Sequence, residues 1–168
     1  ALDDAEALLE LAPNFTLARF RKAEAEMMLG DWADAREDLD LVLERAPHHH
    51  QAMTQLAACF IALGRPERAE APLNDALRIA PNHAPAWHQR GLLYLEWGRD
   101  DNAMSDFEAA VKADENHLDA RLHVAAMHHE GERFDQAGAA WRAVLNLDPD
   151  HIVAKARLDE CEAKLLAR

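Results

Sequence analysis

The sequence repeats itself at a fixed step along its whole length. Pro13, Pro47 and Pro81 are evenly spaced, and the same step leads to Glu115 and then to Pro149. Columns of small or apolar residues keep this step: Ala35, Ala69, Ala103 and Ala137; Leu39, Leu73, Phe107 and Trp141; Val42, Ala76, Ala110 and Val144. Chance does not hold so many columns in register through four copies without an insertion. A period of about 34 residues predicts an array of stacked structural units.

Each copy of the repeat is interpreted as two helices. In the third copy we expect a first helix over 84–97, ended by Gly98, and a second helix over 101–113. Apolar residues recur there with helical spacing, and glycine commonly follows the last residue of a helix. The polar residue after each proline is expected to cap the next helix. Pro72 falls inside a second helix and is expected to kink it.

The pattern resembles the tetratricopeptide repeat (TPR) family, whose 34-residue signature is W-x2-L-G-x2-Y, then A-x3-F, then P. The third copy matches it best, with Trp87, Gly91, Tyr94, Ala103 and Phe107. That copy departs from the signature at Arg90 and Glu115, where Leu and Pro are usual. The resemblance covers essentially the whole chain. It is specific for the fold and weak for function, because the signature residues are packing residues.

The predicted fold class is all-α, a right-handed superhelical solenoid of antiparallel helix pairs. One TPR-like domain over 1–168 is expected to contain a half repeat (1–12), four full repeats (13–46, 47–80, 81–114 and 115–148) and a C-terminal capping helix (149–168). Leu8, Leu9 and Leu11 are expected on the core side of the first helix. Asp159, in place of a small buried residue, suits a terminal cap. Because the first residue is Ala1, we expect a fragment of a longer protein.

Charge limits the partners that the chain is expected to bind. It has 18 basic and 31 acidic side chains and a formal net charge of −13. Nucleic-acid binding depends on Lys and Arg that neutralise phosphates, so no nucleic acid is expected. The sequence contains no run of 18 apolar residues, so no insertion into a membrane is expected. It also has no signal-peptide pattern. The compartment cannot be read from the sequence, although these patterns favour a soluble, cytoplasmic protein.

No enzyme is predicted. The sequence has no glycine-rich phosphate loop, nucleophile elbow or His/Cys ligand cluster, so we expect no catalytic residue and no cofactor. Ten histidines are present, but they form no fixed ligand set. We therefore expect no metal site, and a metal ion held by His88 and His123 is kept as the alternative. The column of His49, His83, His117 and His151 is interpreted as a repeated loop element near each helix start.

The two cysteines are expected to be free thiols. Cys59 and Cys161 occupy the same column three repeats apart. Packed helices lie about 8–10 Å apart, whereas a disulfide needs Cα atoms within about 7 Å. An intramolecular disulfide is therefore not expected.

The side of each first helix opposite the signature residues is the candidate binding surface. In helical repeat arrays this side lines a concave wall that binds partners. The candidate groove residues are Leu17, Phe20, Arg21, Gln55, Ile61, His88, Gln89, Leu92, Leu95, Leu122, His123 and His129. A polar ladder is formed by one column of residues: Arg21, Gln55, Gln89, His123 and Arg157. Glutamine offers a peptide backbone both a donor and an acceptor. The alternatives are solvated polar side chains, and apolar ones buried between neighbouring first helices.

The sequence thus predicts a protein–protein interaction scaffold that holds a peptide or partner protein in its concave groove. Two alternatives remain open: a non-catalytic arm that positions the substrate of a larger multidomain enzyme, and a module that self-assembles through its open repeat ends. Some TPR proteins hold a C-terminal carboxylate with a Lys/Asn/Arg clamp. Phe20, Glu24 and Gln55 stand at the corresponding places, so that activity is not expected.

Overall fold

The computed structural model describes residues 2–167, and over that range it contains helices and no strand. The helices are α1 (Leu2–Leu11), α2 (Thr16–Leu29), α3 (Trp32–Arg45), α4 (His50–Ala62), α5 (Glu70–Ile79), α6 (Ala84–Glu96), α7 (Asp100–Ala113), α8 (Leu118–Glu130), α9 (Phe134–Leu147) and α10 (Ile152–Leu166). Even-numbered helices are the first helices of the repeats, and odd-numbered helices are the second helices. None of the described helices is long and apolar enough to cross a membrane.

The chain divides into two compact units, with the boundary between Gln89 and Arg90. In the first unit, each helix from α1 to α5 packs against the next one along the chain. In the second unit, α7, α8, α9 and α10 pack in the same consecutive order. Consecutive helices are thus spatial neighbours in both units, as a repeat of helix pairs requires.

The core is built from the repeated columns of the second helices. In α3 the side chains of Ala35, Leu39 and Val42 have no exposed surface. Ala103, Phe107 and Ala110 occupy the same places in α7 and are equally buried. Burying a large apolar side chain contributes about 1.5–3 kcal/mol to stability. The period of the sequence is therefore the period of the buried positions.

The turn inside each repeat depends on one left-handed residue. Gly30, Gly64 and Gly98 have φ angles of +87°, +70° and +67°, a conformation that glycine adopts without steric cost. In the fourth repeat the glycine stands one place early, as Gly131, and Glu132 takes the left-handed conformation with φ +56°. The shifted glycine thus accompanies a different turn in the fourth repeat.

The expectation that Pro72 kinks a helix is wrong. A 3-10 turn over Pro66–Arg68 comes first, and α5 begins only at Glu70. Pro72 is therefore the third residue of α5. The first four N–H groups of a helix have no acceptor within the helix, so a proline at this place removes no helical hydrogen bond.

Three of the first helices are capped by histidine, not by the polar residue after the proline position. The caps of α4, α8 and α10 are His49, His117 and His151. Their Nδ1 atoms accept the backbone N–H groups of Ala52, Ala120 and Ala154 at 3.2, 3.3 and 3.2 Å. The expected polar caps are one residue too early. Three of the four histidines of the column therefore cap a helix, and all four directly precede a first helix, which confirms the interpretation of the column as a repeated element near each helix start.

Four partly buried histidines lead us to expect that the stability of the fold falls as the pH drops below about 6.5. Burial is the main cause that lowers the pKa of His49, His83, His123 and His128 from 6.5. At His49, the nearby charge of His50 lowers the pKa further and that of Glu24 opposes the shift. A histidine with a lowered folded pKa binds fewer protons folded than unfolded. The stability that such a histidine contributes is fully present above about pH 6.5, and it is lost as the pH falls through the pKa of the folded state.

Urea unfolding at about pH 7.5 and about pH 5.5 measures this effect on either side of the ordinary histidine pKa. His49→Asn supplies a cap acceptor that does not titrate and should shrink the difference between the two pH values. His48→Asn, at the exposed neighbouring residue, is the matched control. Equal or higher stability at the lower pH would contradict the expectation.

The N-terminal helix buries less than the sequence pattern predicts. Ala5 is buried, but Leu8 is 47% exposed and Leu11 is 87% exposed. The expectation that Leu8 and Leu11 lie on the core side is therefore wrong, whereas Leu9 is half-buried. At the other end, Asp159 is exposed on α10. Cys59 and Cys161 are free and buried, and burial raises the pKa of the Cys59 thiol to about 11.

Candidate protein-interaction surface

In the first unit, a chain of polar contacts links α2 to α4 on the predicted groove side. The Gln55 side-chain Nε2 donates to Glu24 Oε1 at 3.0 Å, and Arg21 Nη1 donates to Glu24 Oε2 at 2.6 Å. Glu24 and Gln55 also line, with Met27 and Met28, an open cavity of about 490 Å³. This part of the surface thus combines fixed polar groups with adaptable thioether side chains.

Two glutamine oxygens of the ladder column have no donor in the structure. Gln55 Oε1 and Gln89 Oε1 are buried atoms without a hydrogen-bond partner among the described residues. Leaving a buried acceptor without a donor costs about 1–3 kcal/mol. Both residues belong to the first unit. Each oxygen therefore lacks the donor that a buried acceptor normally has.

The other predicted groove residues of the first unit differ in accessibility. Leu17 is 52% exposed, but Phe20 is only 6% exposed and its ring lies 4.6 Å from the His49 ring. Phe20 therefore supports the helix packing and does not line an open surface, which corrects its place among the candidate groove residues. Ile61 and His88 are half-buried.

In the second unit, the predicted histidines make internal contacts. The His123 ring stacks on the Phe107 ring at 4.5 Å with an interplanar angle of 11°, and burial lowers the pKa of His123. His129 lies 3.4 Å from Cys161 through Nδ1 and 3.3 Å from Glu160 through Nε2. These contacts give both histidines a structural role.

The predicted groove leucines of the second unit differ in how far they are buried. Leu122 packs against the buried cluster that contains Trp141. Leu92 is 37% exposed, and Leu95 lines an open cavity of about 410 Å³ together with Met104 and Met127. Leu92 is therefore the exposed leucine among the predicted groove residues of this unit, whereas Leu95 is half-buried and also packs against the buried cluster of Tyr94 and Phe107.

The sequence patterns missed two sites at which a buried acid is paired with basic side chains, one at Asp38 and one at Asp106. Lys22 Nζ and Arg19 Nη1 donate to the two oxygens of Asp38, each at 2.6 Å. In the third repeat, Arg90 donates to both oxygens of Asp106 at 2.7 and 2.8 Å. The other two full repeats have apolar residues in the same columns, Leu56 with Pro72 and Val124 with Ala140. In these two columns a basic and an acidic residue occur together or are both absent, and this pattern could have predicted the ion pairs from the sequence.

Within the described residues, no group of three or more His, Cys, Asp or Glu side chains is arranged to hold a metal ion.

Three tetratricopeptide repeat family models match the sequence, over residues 1–47, 26–90 and 84–117. Together they span 1–117. No curated protein matches the sequence significantly.

Solved structures of TPR proteins share the fold. The chain is similar to TTC0263, a TPR protein of Thermus thermophilus, with 25% identity and a TM-score of 0.77 over 96% of this chain and 89% of that one. It is similar to MamA, with 18% identity and a TM-score of 0.75 over 88% and 86% of the two chains. YrrB, described as a TPR protein with an unusual peptide-binding site, has 21% identity and a TM-score of 0.68 over 92% and 80%.

These comparisons confirm the predicted fold class, an all-α TPR-like solenoid of helix pairs. TPR proteins are in general non-catalytic scaffolds, and the repeats support a general role in protein–protein interaction. The chain belongs to the tetratricopeptide repeat family.

Proposed function

We propose that the first unit binds an extended peptide segment of a partner protein along its first helices, through the ladder column of Arg21, Gln55 and Gln89. The observation that carries this proposal is the pair of buried glutamine oxygens without a donor. An extended peptide presents backbone N–H groups that need acceptors. Binding would supply the two missing hydrogen bonds and relieve the cost of leaving the oxygens unpaired.

The surrounding chemistry favours a neutral or basic peptide with apolar side chains. Glu24 stands between Arg21 and Gln55, and the net charge of −13 repels acidic ligands and nucleic acid over a longer range. Met27 and Met28 line the neighbouring cavity, and methionine adapts to apolar side chains of different shapes. The peptide-binding site named for YrrB supports the idea that a protein of this fold can hold a peptide.

Peptides selected from a random library displayed on phage provide the ligand for a direct test. We expect Gln55→Met and Gln89→Met to weaken binding at least tenfold, about 1.4 kcal/mol each, as measured by fluorescence anisotropy. Methionine keeps the size of glutamine and removes the amide, so circular dichroism should stay helical. For Gln89→Met the loss then reports the hydrogen bond to the peptide and not the packing, whereas Gln55→Met also removes the internal bond from Gln55 to Glu24.

The matched control is Glu44→Lys, because Glu44 is exposed on the second helix α3. This change should leave the affinity nearly unchanged. If Glu44→Lys abolishes binding while both glutamine variants bind normally, the peptide lies on the second helices and the proposed surface is wrong.

A further inference from the structure

The two glutamines of the ladder column present hydrogen-bond acceptors at a fixed spacing. Gln55 lies on α4, and Gln89 lies on α6, one repeat later in the sequence. Neither Gln55 Oε1 nor Gln89 Oε1 has a donor among the described residues. The Gln55 nitrogen donates to Glu24, so the oxygen is the group that Gln55 offers to a ligand. A ligand that satisfies both oxygens must therefore present two donors with the same spacing.

Contacts between neighbouring first helices set this spacing. The Gln55 side chain on α4 reaches Glu24 on α2 at 3.0 Å. The ring of His50 on α4 lies 4.7 Å from the ring of His83, the residue that directly precedes α6. Helices that pack as neighbours have axes about 8–10 Å apart. Because Gln55 and Gln89 occupy the same column, we infer that their acceptors are separated by about the same distance.

A β-strand does not match this spacing. Its backbone rises about 3.2–3.4 Å per residue and alternates between two sides, so N–H groups on one side recur about every 6.4–6.8 Å. Two residues therefore fall short of the next glutamine, and three residues place the second N–H on the wrong side. An α-helix fails for another reason, because its N–H groups beyond the first turn are bonded to its own carbonyl groups.

A polyproline II helix does match the spacing. It has three residues per turn and rises about 3.1 Å per residue, so the same face recurs about every 9.3 Å. Its backbone makes no internal hydrogen bonds, so each N–H group that it has is free to donate. One turn of this helix therefore equals one step between neighbouring first helices.

We propose that the ligand of the glutamine column is a peptide in the polyproline II conformation, whose N–H groups three residues apart bond to Gln55 and Gln89. This inference rests on the proposed peptide binding and names the class of peptide that is bound. The two ligand positions between the bonded ones face away from the acceptors, and they accept proline, which has no N–H group. The ligand class is thus a proline-rich segment in which every third residue is not proline.

Proline at these positions also lowers the entropic cost of binding. Proline-rich chains already populate the polyproline II conformation when they are free, and a residue that precedes proline is restricted to the extended region as well. A ligand that is ordered in advance loses less conformational freedom when it binds. Glu24 lies beside Gln55, so acidic side chains near this end of the ligand are disfavoured.

Three capped peptides of equal length isolate the spacing of the donors. They consist of four Ala-Pro-Pro units, six Ala-Pro units, and twelve prolines, and all three favour the polyproline II conformation. The first presents an N–H group on one face at every turn, the second presents one on that face at every second turn, and the third presents none within the chain. We expect the Ala-Pro-Pro peptide to bind at least tenfold more tightly than the other two, about the effect of one hydrogen bond to a buried acceptor. Fluorescence anisotropy of the labelled peptides measures the affinities.

Variants of the protein connect this preference to the two glutamines. Gln55→Met and Gln89→Met should each remove the advantage of the Ala-Pro-Pro peptide, because one acceptor remains and a single N–H group satisfies it. Glu44→Lys should keep the advantage. All three peptides are compared on the same variant, so the loss of the internal bond from Gln55 to Glu24 affects them equally.

Equal affinities for the three peptides, a preference for the Ala-Pro peptide, or no binding at about 1 mM overturns the polyproline II proposal. An advantage that persists in both methionine variants overturns it as well. The peptides selected on phage test the proposed function separately. If they bind through both glutamines while the Ala-Pro-Pro peptide has no advantage, the peptide site is retained and its ligand class is wrong. If they bind both methionine variants as tightly as the wild type, the site itself is wrong.

Discussion

Replacing Asp106 with alanine is expected to lower the free energy of unfolding by about 3–5 kcal/mol, the usual cost of breaking a buried ion pair from one side. Arg90 donates twice to the Asp106 carboxylate. The two side chains are 17% and 5% exposed. Without the carboxylate, the guanidinium keeps its desolvation cost and loses its counter-charge. Urea unfolding followed by circular dichroism measures the effect.

The chain contains the control for this prediction. In the fourth repeat the same two columns hold Val124 and Ala140. Arg90→Val combined with Asp106→Ala copies that apolar pair into the third repeat and removes both charges. Replacing a whole buried ion pair with apolar residues is often neutral or stabilising, so the double variant should be more stable than Asp106→Ala alone. A double variant that is less stable than the single one would contradict this account of the pair.

Gly91→Ala is expected to destabilise the protein by up to about 2 kcal/mol, because overpacking of a buried site costs about 1–3 kcal/mol. A Cβ atom at Gly91 would lie 2.7, 2.9 and 3.0 Å from three atoms of the Phe107 ring, and Phe107 has no exposed surface. The better helix propensity of alanine returns only about 1 kcal/mol, so the clash should dominate. Urea unfolding measures the difference.

The same substitution should change sign when Phe107 is replaced by leucine. The first two repeats already combine alanine with leucine in these columns, Ala23 with Leu39 and Ala57 with Leu73. Gly91→Ala in the Phe107→Leu background should therefore raise stability, and the cycle should give a coupling energy of about 0.5–3 kcal/mol. If Gly91→Ala has the same effect in both backgrounds, the two residues do not form the small–large pair that the structure shows.

The fold was predictable because its determinants are local and repeated. Leu39, Phe107 and the other second-helix columns recur at a fixed step, and each occurrence in a full repeat is buried. The turns were predictable because Gly30, Gly64 and Gly98 are needed for left-handed backbone. The period of the sequence therefore carries the helix pair, its turn and its buried face together.

The sequence patterns were less successful where tertiary contacts compete with intrinsic preference. The N-cap preference for short polar side chains placed each cap one residue early, whereas the structure uses the imidazole Nδ1 of residues such as His49. Pro72 was expected to kink a helix, but α5 begins late enough to place it in the first turn. The start of α5 depends on the 3-10 turn that precedes it, and local propensities do not predict that turn.

The candidate surface was only partly predictable, because the column of a residue gives its side of the helix and not its distance from the neighbouring helix. Phe20 and His123 lie in the predicted groove columns, yet each is packed against another ring. Gln55 keeps an oxygen without a donor on the same predicted side. The difference between these residues arises from contacts between repeats, which one column cannot reveal.

The proposed ladder is tested most directly by NMR of the side-chain amides during titration with a selected peptide. The amide signals of Gln55 and Gln89 should shift together as the peptide binds, because their oxygens accept new hydrogen bonds. The signals of Asn74 and Gln136, on the second helices α5 and α9, should stay in place. Shifts confined to Asn74 and Gln136, with Gln55 and Gln89 unchanged at saturation, would contradict binding along the first helices.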